Sequence, residues 1–276
     1  MKQICELFQE LSVSIWRGVS ENNANGNELS EDGITKNTIV SSIQRYVKST
    51  RDRRIFAQRA IDEKRRGADL EIYIEVDHDS YLRFMFQAKV LKRNGKYNDV
   101  AHSNNKYGGM QWDLLQRFSK TAGCQAYYLF YNGVAGFKHS GKDCFGVYNQ
   151  EQLGCSIAGI SYVKKYCIKN NVSKIPFMVA VPFSIPWRVL PCCQKVLMPD
   201  ALNLGHRSYS STDIDMDSSF DEIFGEQSSP FIGDPELAES EIINDRLLDL
   251  GWTPSVRIVI SISEIEKEGP RFLELA

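Results

Sequence analysis

Several features are missing from this sequence, and each absence narrows the reading. No apolar run approaches the roughly 20 residues of a membrane span, and the opening stretch MKQICELFQELSVSIW is too acidic and too interrupted for a signal peptide. A protein without a membrane partner and a cytoplasmic location are therefore expected. Cysteine is present seven times but never in C-x-x-C spacing, and no histidine cluster accompanies it, so neither a disulfide framework nor a zinc site is expected. The adjacent Cys192 and Cys193 read as reduced thiols. The four histidines fall in loop-like contexts, with no HExxH and no recognisable triad. The glycines offer no GxxxxGK[ST] phosphate loop. A net charge of -2 gives the whole chain no excess of either sign, so any polyanion must be met by a local patch.

Such a patch exists. Between Ser41 and Leu70, basic residues such as Lys48, Arg51, Arg53, Arg54, Arg59, Lys64, Arg65 and Arg66 outnumber the acids, whereas acids predominate from Gly205 to Gly251. With 276 residues and 42% hydrophobic residues, the chain has enough material for one large core. Apolar positions at Ile4, Leu7, Phe8, Leu11 and Ile15 have the spacing of one helix face. A second helix is expected over ITKNTIVSSIQRYV with Thr35 as its N-cap, and a third helix or a helical turn over RIFAQRAIDEKRR, ending at Gly67. MQWDLLQRFSKTA and NQEQLGCSIAGISYVKKYCIKNN also read as helices, while QAYYLFYN, IPFMVAVPF and SVRIVISISEI read as strands. Trp112, Tyr127, Tyr128, Phe130 and Tyr131 are expected in the core, not as base-stacking surfaces.

The period changes at ADLEIYIEV and YLRFMFQAKVL, which alternate about the turn signal DHDS and predict a β-hairpin. Matching apolar residues pairs Val76 with Leu82, Ile74 with Phe84, Ile72 with Phe86 and Leu70 with Ala88. On the other face, Glu75 is then expected opposite Arg83, Glu71 opposite Gln87, and Asp69 opposite Lys89. Carboxylate, amide oxygen and ammonium together suit Mg²⁺-assisted phosphodiester chemistry. A hard cation needs only one or two protein oxygens beside a phosphate, and a lysine can orient the attacking water or balance developing charge. The structural alternative is an Asp69–Lys89 salt bridge, with Gln87 bonded to a neighbour.

GADLEIYI followed by FQAK resembles the active-site signature of the PD-(D/E)xK nuclease superfamily in its Q-x-K variant, as in Mrr-like and related bacterial defence nucleases. The resemblance covers about residues 28–132. It implies a restriction-endonuclease-like α/β fold with a mixed central sheet flanked by helices on both faces. It also implies a metal-dependent nuclease acting on DNA in preference to RNA, with Mg²⁺ replaceable by Mn²⁺. Asp69, Gln87 and the Ala88 carbonyl would be metal ligands, Lys89 the catalytic lysine, Glu31 (or Glu28) the preceding-helix carboxylate, and Gln111 the glutamine of the following helix. Two departures stand out: Ala68 replaces the signature's proline, and Gln87 supplies no negative charge.

Lys92, Arg93, Lys96 and Lys106, in the loop after FQAK, are expected to hold phosphates without reading sequence. The expected organisation is a single domain with its core at about 28–182, an acidic loop at about 206–230 and a helix–strand addition at 234–276. A homodimer would serve double-strand cleavage, and a partner defence protein is the other expected associate. Two alternatives are a catalytically silent module that binds nucleic acid or protein, and self-inhibition by the acidic segment between Asp213 and Glu226.

Overall fold

The computed structural model describes residues 2–59, 69–77, 80–104, 109–143, 146–193 and 255–261. The acidic loop, Lys106 and the helix expected near 234 lie outside them. The fold is mixed α/β. Its sheet strands are β1 (Ile55–Arg59), β2 (Leu70–Asp77), β3 (Ser80–Val90), β4 (Gln125–Tyr131), β5 (Cys155–Gly159), β6 (Ser184–Pro186) and β7 (Val256–Ile260). Among the described residues these make one seven-stranded sheet in the order β1-β7-β2-β3-β4-β5-β6. β7 runs parallel to β2, and β3 parallel to β4; the other neighbours are antiparallel. The C-terminal strand, expected as an addition, lies inside the sheet.

Helices cover both faces. α1 (Lys2–Ala24) buries Ile4, Leu7, Phe8, Leu11 and Ile15, as their spacing predicts. It lies close to the loops that flank β5: a methyl group on Gly154 would stand 1.8 Å from the Ser12 carbonyl oxygen. A second helix opens at Glu31, widens into π-type turns over Gly33–Val40 and continues as α2 (Ser41–Thr50). Thr35 joins that helix to the sheet through a 2.7 Å bond to the Tyr131 hydroxyl. The opposite face carries α3 (Gln111–Ala122) and α4 (Ile160–Asn170), which pack on each other and on β4. Between the layers Tyr128, Phe130 and Tyr131 are buried, as is Trp112, in keeping with their reading as core residues.

The hairpin forms with its predicted faces but a different register. Leu70 pairs with Phe86, Ile72 with Phe84 and Ile74 with Leu82, each two residues from the expected partner. A two-residue slip keeps every side chain on its own face, so alternation cannot detect it. The turn decides instead: Asp77 reaches Ser80, with an irregularity between Glu75 and Asp77.

Four local expectations are corrected. Ser30, not Thr35, caps the second helix: its Oγ accepts from the Gly33 N–H at 3.0 Å, while Thr35 sits a turn inside and donates to the Glu31 carbonyl. Ile55–Arg59 is a strand, because its buried Ile-Phe-Ala run finds a partner in β7; short apolar runs do not reveal which element they enter. The expected helix over 149–171 begins only at Ile160, after a 3₁₀ turn at Gln150–Gly154 and strand β5. IPFMVAVPF is mostly helical turns, Phe177–Ala180 and Val181–Phe183, preceded by a two-residue ribbon. Cysteine chemistry also departs from expectation, since Cys5 on α1 pairs with Cys192, 187 residues away. Cys124, Cys155 and Cys167 are free and buried.

Candidate active site

The site forms at the end of the hairpin where β2 begins opposite Phe86 while β3 runs on to Val90: these last rungs of β3 pair with β4 on one side and, among the described residues, with no strand on the β2 side. Successive residues of a strand point their backbone groups to alternate sides. The Asp69 N–H reaches the Phe86 carbonyl at 3.3 Å, which puts the backbone groups of Phe86, Ala88 and Val90 on the β2 side. Beyond the end of β2, two carboxylates take over these groups. Asp69 Oδ2 accepts the Ala88 N–H at 2.8 Å, and Glu31 Oε1 accepts the Val90 N–H at 3.1 Å. By the same alternation the Ala88 carbonyl points into the gap between those two acids.

Glu31 owes its position to its helix. Ser30 fixes the first turn, and Thr35 Oγ1 both donates to the Glu31 carbonyl at 2.8 Å and meets Tyr131 of β4. Glu28 is placed elsewhere. It accepts the Arg93 N–H at 3.2 Å and lies 3.9 Å from Lys92 Nζ, at the base of the loop after β3.

A chain of amides approaches from α3. Gln111 Nε2 donates to Gln87 Oε1 at 2.5 Å, and Gln87 Nε2 donates to Asp69 Oδ2 in a short hydrogen bond. Gln111 Oε1 is buried without a hydrogen-bond partner among the described residues. Both bonds to the Asp69 carboxylate fall on Oδ2. Burial pushes the Asp69 carboxyl up to about 6; Lys89 and the Ala88 N–H pull it down, and Glu31 and Asp32 push it further up. Lys89 is half-buried and acts on Asp69 through its charge, without an ion pair among the described residues. The structure thus brings Asp69, Gln87, Ala88, Lys89, Glu31 and Gln111 together, and the simple Asp69–Lys89 salt bridge does not form.

Beneath the site lies a charged group that the sequence did not predict. Glu71, fully buried, is 2.7 Å from Arg83 Nη2 and 2.5 Å from Arg257 Nε of β7. Both guanidiniums lie over the Tyr73 ring, at 5.6 and 5.5 Å. The two arginines hold Glu71 below the usual carboxylate range against the opposing effect of burial. Glu71 therefore faces Met85 and the arginines, not Gln87 as expected. Alternation had put Glu71 and Arg83 on one face, and only the register kept them apart. For Arg257 the sequence carried no signal, because nothing local tells β7 which strand it will join.

Of the expected phosphate-holding residues, Arg93 and Lys96 are exposed on the turn closed by Gly95. Lys92 is partly retained by the Leu29 carbonyl at 3.0 Å. Among the described residues no group of three or more His, Cys, Asp or Glu side chains is placed to hold a metal. The donor set available is two carboxylates, an amide and a carbonyl. No described helix is long and apolar enough to cross a membrane.

The chain belongs to the family described as a family of unknown function, DUF6615, whose model matches residues 4–259. No curated protein and no solved structure matches it.

Proposed function

We propose that this chain is a metal-dependent nuclease with a restriction-endonuclease-like core, hydrolysing phosphodiester bonds, with DNA preferred over RNA. The observation that carries the reading is the placement of Asp69 and Glu31 on alternate N–H groups of β3, with the Ala88 carbonyl between them and Lys89 on the same strand. Oxygen donors of this kind suit Mg²⁺ or Mn²⁺.

The amides bear on the fit. As placed, Gln87 turns its NH₂ toward Asp69, and Gln111 Oε1 is an orphan. Turning both amides over keeps a Gln87–Gln111 hydrogen bond, now with the Gln87 NH₂ as donor, and sets Gln87 Oε1 beside Asp69 Oδ2, two acceptors that a cation between them would reconcile. An amide can be reversed at no cost in shape, so the bound cation would decide which way the Gln87 amide faces.

The bound ion would polarise the phosphoryl oxygen and acidify its water. Asp69 and Glu31 would hold it with the Ala88 carbonyl and Gln87, and Gln111 would fix the Gln87 amide. Lys89 would orient the attacking water and balance charge on the phosphate, while Arg93 and Lys96 draw in the backbone of the nucleic acid. A cytoplasmic, defence-type role belongs to the same reading, as does a homodimer if both strands are cut.

Lys89→Ala should lower Mg²⁺-dependent cleavage of plasmid DNA by about 100-fold or more, the scale seen when an electrostatic group is removed. Its circular dichroism should be unchanged. Full activity in that variant would overturn the mechanism. A second reading, a silent nucleic-acid-binding module, is favoured by the Gln87 NH₂ facing Asp69 where a cation would sit. Binding of DNA that is indifferent to Mg²⁺ and yields no product would establish it.

A further inference from the structure

The start of β2 is held from two sides. On the β3 side, the Asp69 N–H reaches the Phe86 carbonyl at a long 3.3 Å, and the carboxylate takes Ala88 and Gln87. On the other side, Ser255 Oγ, just before β7, donates to the Asp69 carbonyl at 2.8 Å across 186 residues of sequence. Two residues further on, Arg257 pairs in register with Glu71 and grips its carboxylate. Asp69 itself precedes the first residue of β2, and the long bond to Phe86 is its backbone tie to the β3 side. The Ser255 hydroxyl is its hold on the β7 side.

We infer that Ser255 is a positioning residue for the candidate metal site: its hydroxyl fixes the Asp69 backbone so that the carboxylate meets the Ala88 and Gln87 groups. This rests on the reading of Asp69 as a metal ligand. A carboxylate that ligates a cation acts through a few tenths of an ångström, and partners that orient ligands typically change metal affinity 10- to 100-fold when removed. Ser255 does not touch the reacting atoms. Its effect would appear first as weaker metal binding and only through that as lower activity.

The experiment is a Mn²⁺ titration followed by electron paramagnetic resonance, on the full chain without nucleic acid. Wild type, Ser255→Ala, Ser255→Thr and Ser255→Val are compared, with Asp69→Ala as the control that abolishes binding. Thr keeps the hydroxyl, and Val has the same shape without it, so that pair carries the comparison if the alanine variant fails to fold. The half-saturating Mn²⁺ concentration should rise about 10- to 100-fold in the Ala and Val variants, and Thr should restore the wild-type value. Thermal unfolding is followed in parallel. A lower melting temperature with an unchanged Mn²⁺ midpoint would show a merely structural serine and overturn the inference, leaving the metal reading intact. A wild-type chain that takes up no Mn²⁺ would overturn both.

Discussion

Asp69 combines burial with two neighbouring acids, and its carboxyl is held up at about 6. The folded state thus takes up a proton more readily than the unfolded chain, whose aspartate titrates near 3.8. In the metal-free protein the charged form therefore lowers stability above pH 6, and the penalty disappears as the pH falls toward 4. Asp69→Asn should raise the stability of the metal-free protein at pH 7.5 by on the order of 1–3 kcal/mol, from about 1.4 kcal/mol per pH unit. Urea unfolding in EDTA would measure it, and an unchanged midpoint would refute the assignment. On the proposed reading a cation would compete with that proton, and metal-dependent cleavage, if the chain is the proposed nuclease, should rise as the pH passes upward through about 6. Glu71 behaves in the opposite sense. Its pKa lies below the ordinary 4.5, so its contribution to stability is complete above that value and is lost as acid protonates the folded state. Glu71→Gln leaves two arginines facing each other beneath the site, and should lower stability by about 3–5 kcal/mol in urea unfolding.

Among the elements, the hairpin was legible because period-two alternation is strong: faces and turn followed directly, and so did the meeting of Asp69, Gln87 and Lys89 near one end. The register was not, since a slip of two leaves every face intact and the turn alone arbitrates. Glu31 could be named only through the family resemblance. Its actual placement depends on Ser30 and Thr35, and the capping task expected of Thr35 falls to Ser30. The run from Asn149 to Asn171 has the signal of one helix in sequence because CSIAG is too short to declare a period of its own. Its pairing between β4 and β6 decides the matter. The approach of α1 to this region gives a further prediction. Gly154→Ala would drive a methyl group into the Ser12 carbonyl, and the loss should be about 2 kcal/mol or more, read from thermal unfolding.

On the scale of the whole molecule, the α/β class with a mixed central sheet was accessible from the order of elements, and helices on both faces only through the family resemblance. The order of strands was not. β1 and β2 follow one another in sequence yet do not touch as neighbours, because β7 lies between them. Nothing in the composition of SVRIVI announces this: its buried valines and isoleucines would suit any central strand. The arginine that grips Glu71 and the serine that reaches Asp69 arrive with that same strand, and for that reason local reading could not include them in the site.

The position of β7 also bears on the order of events during synthesis. A ribosome delivers β1, β2 and β3 long before residue 256, and until then β2 has a bare edge on the side where its parallel neighbour belongs. Nascent or truncated chains would offer that edge to one another, a route to aggregation rather than to activity.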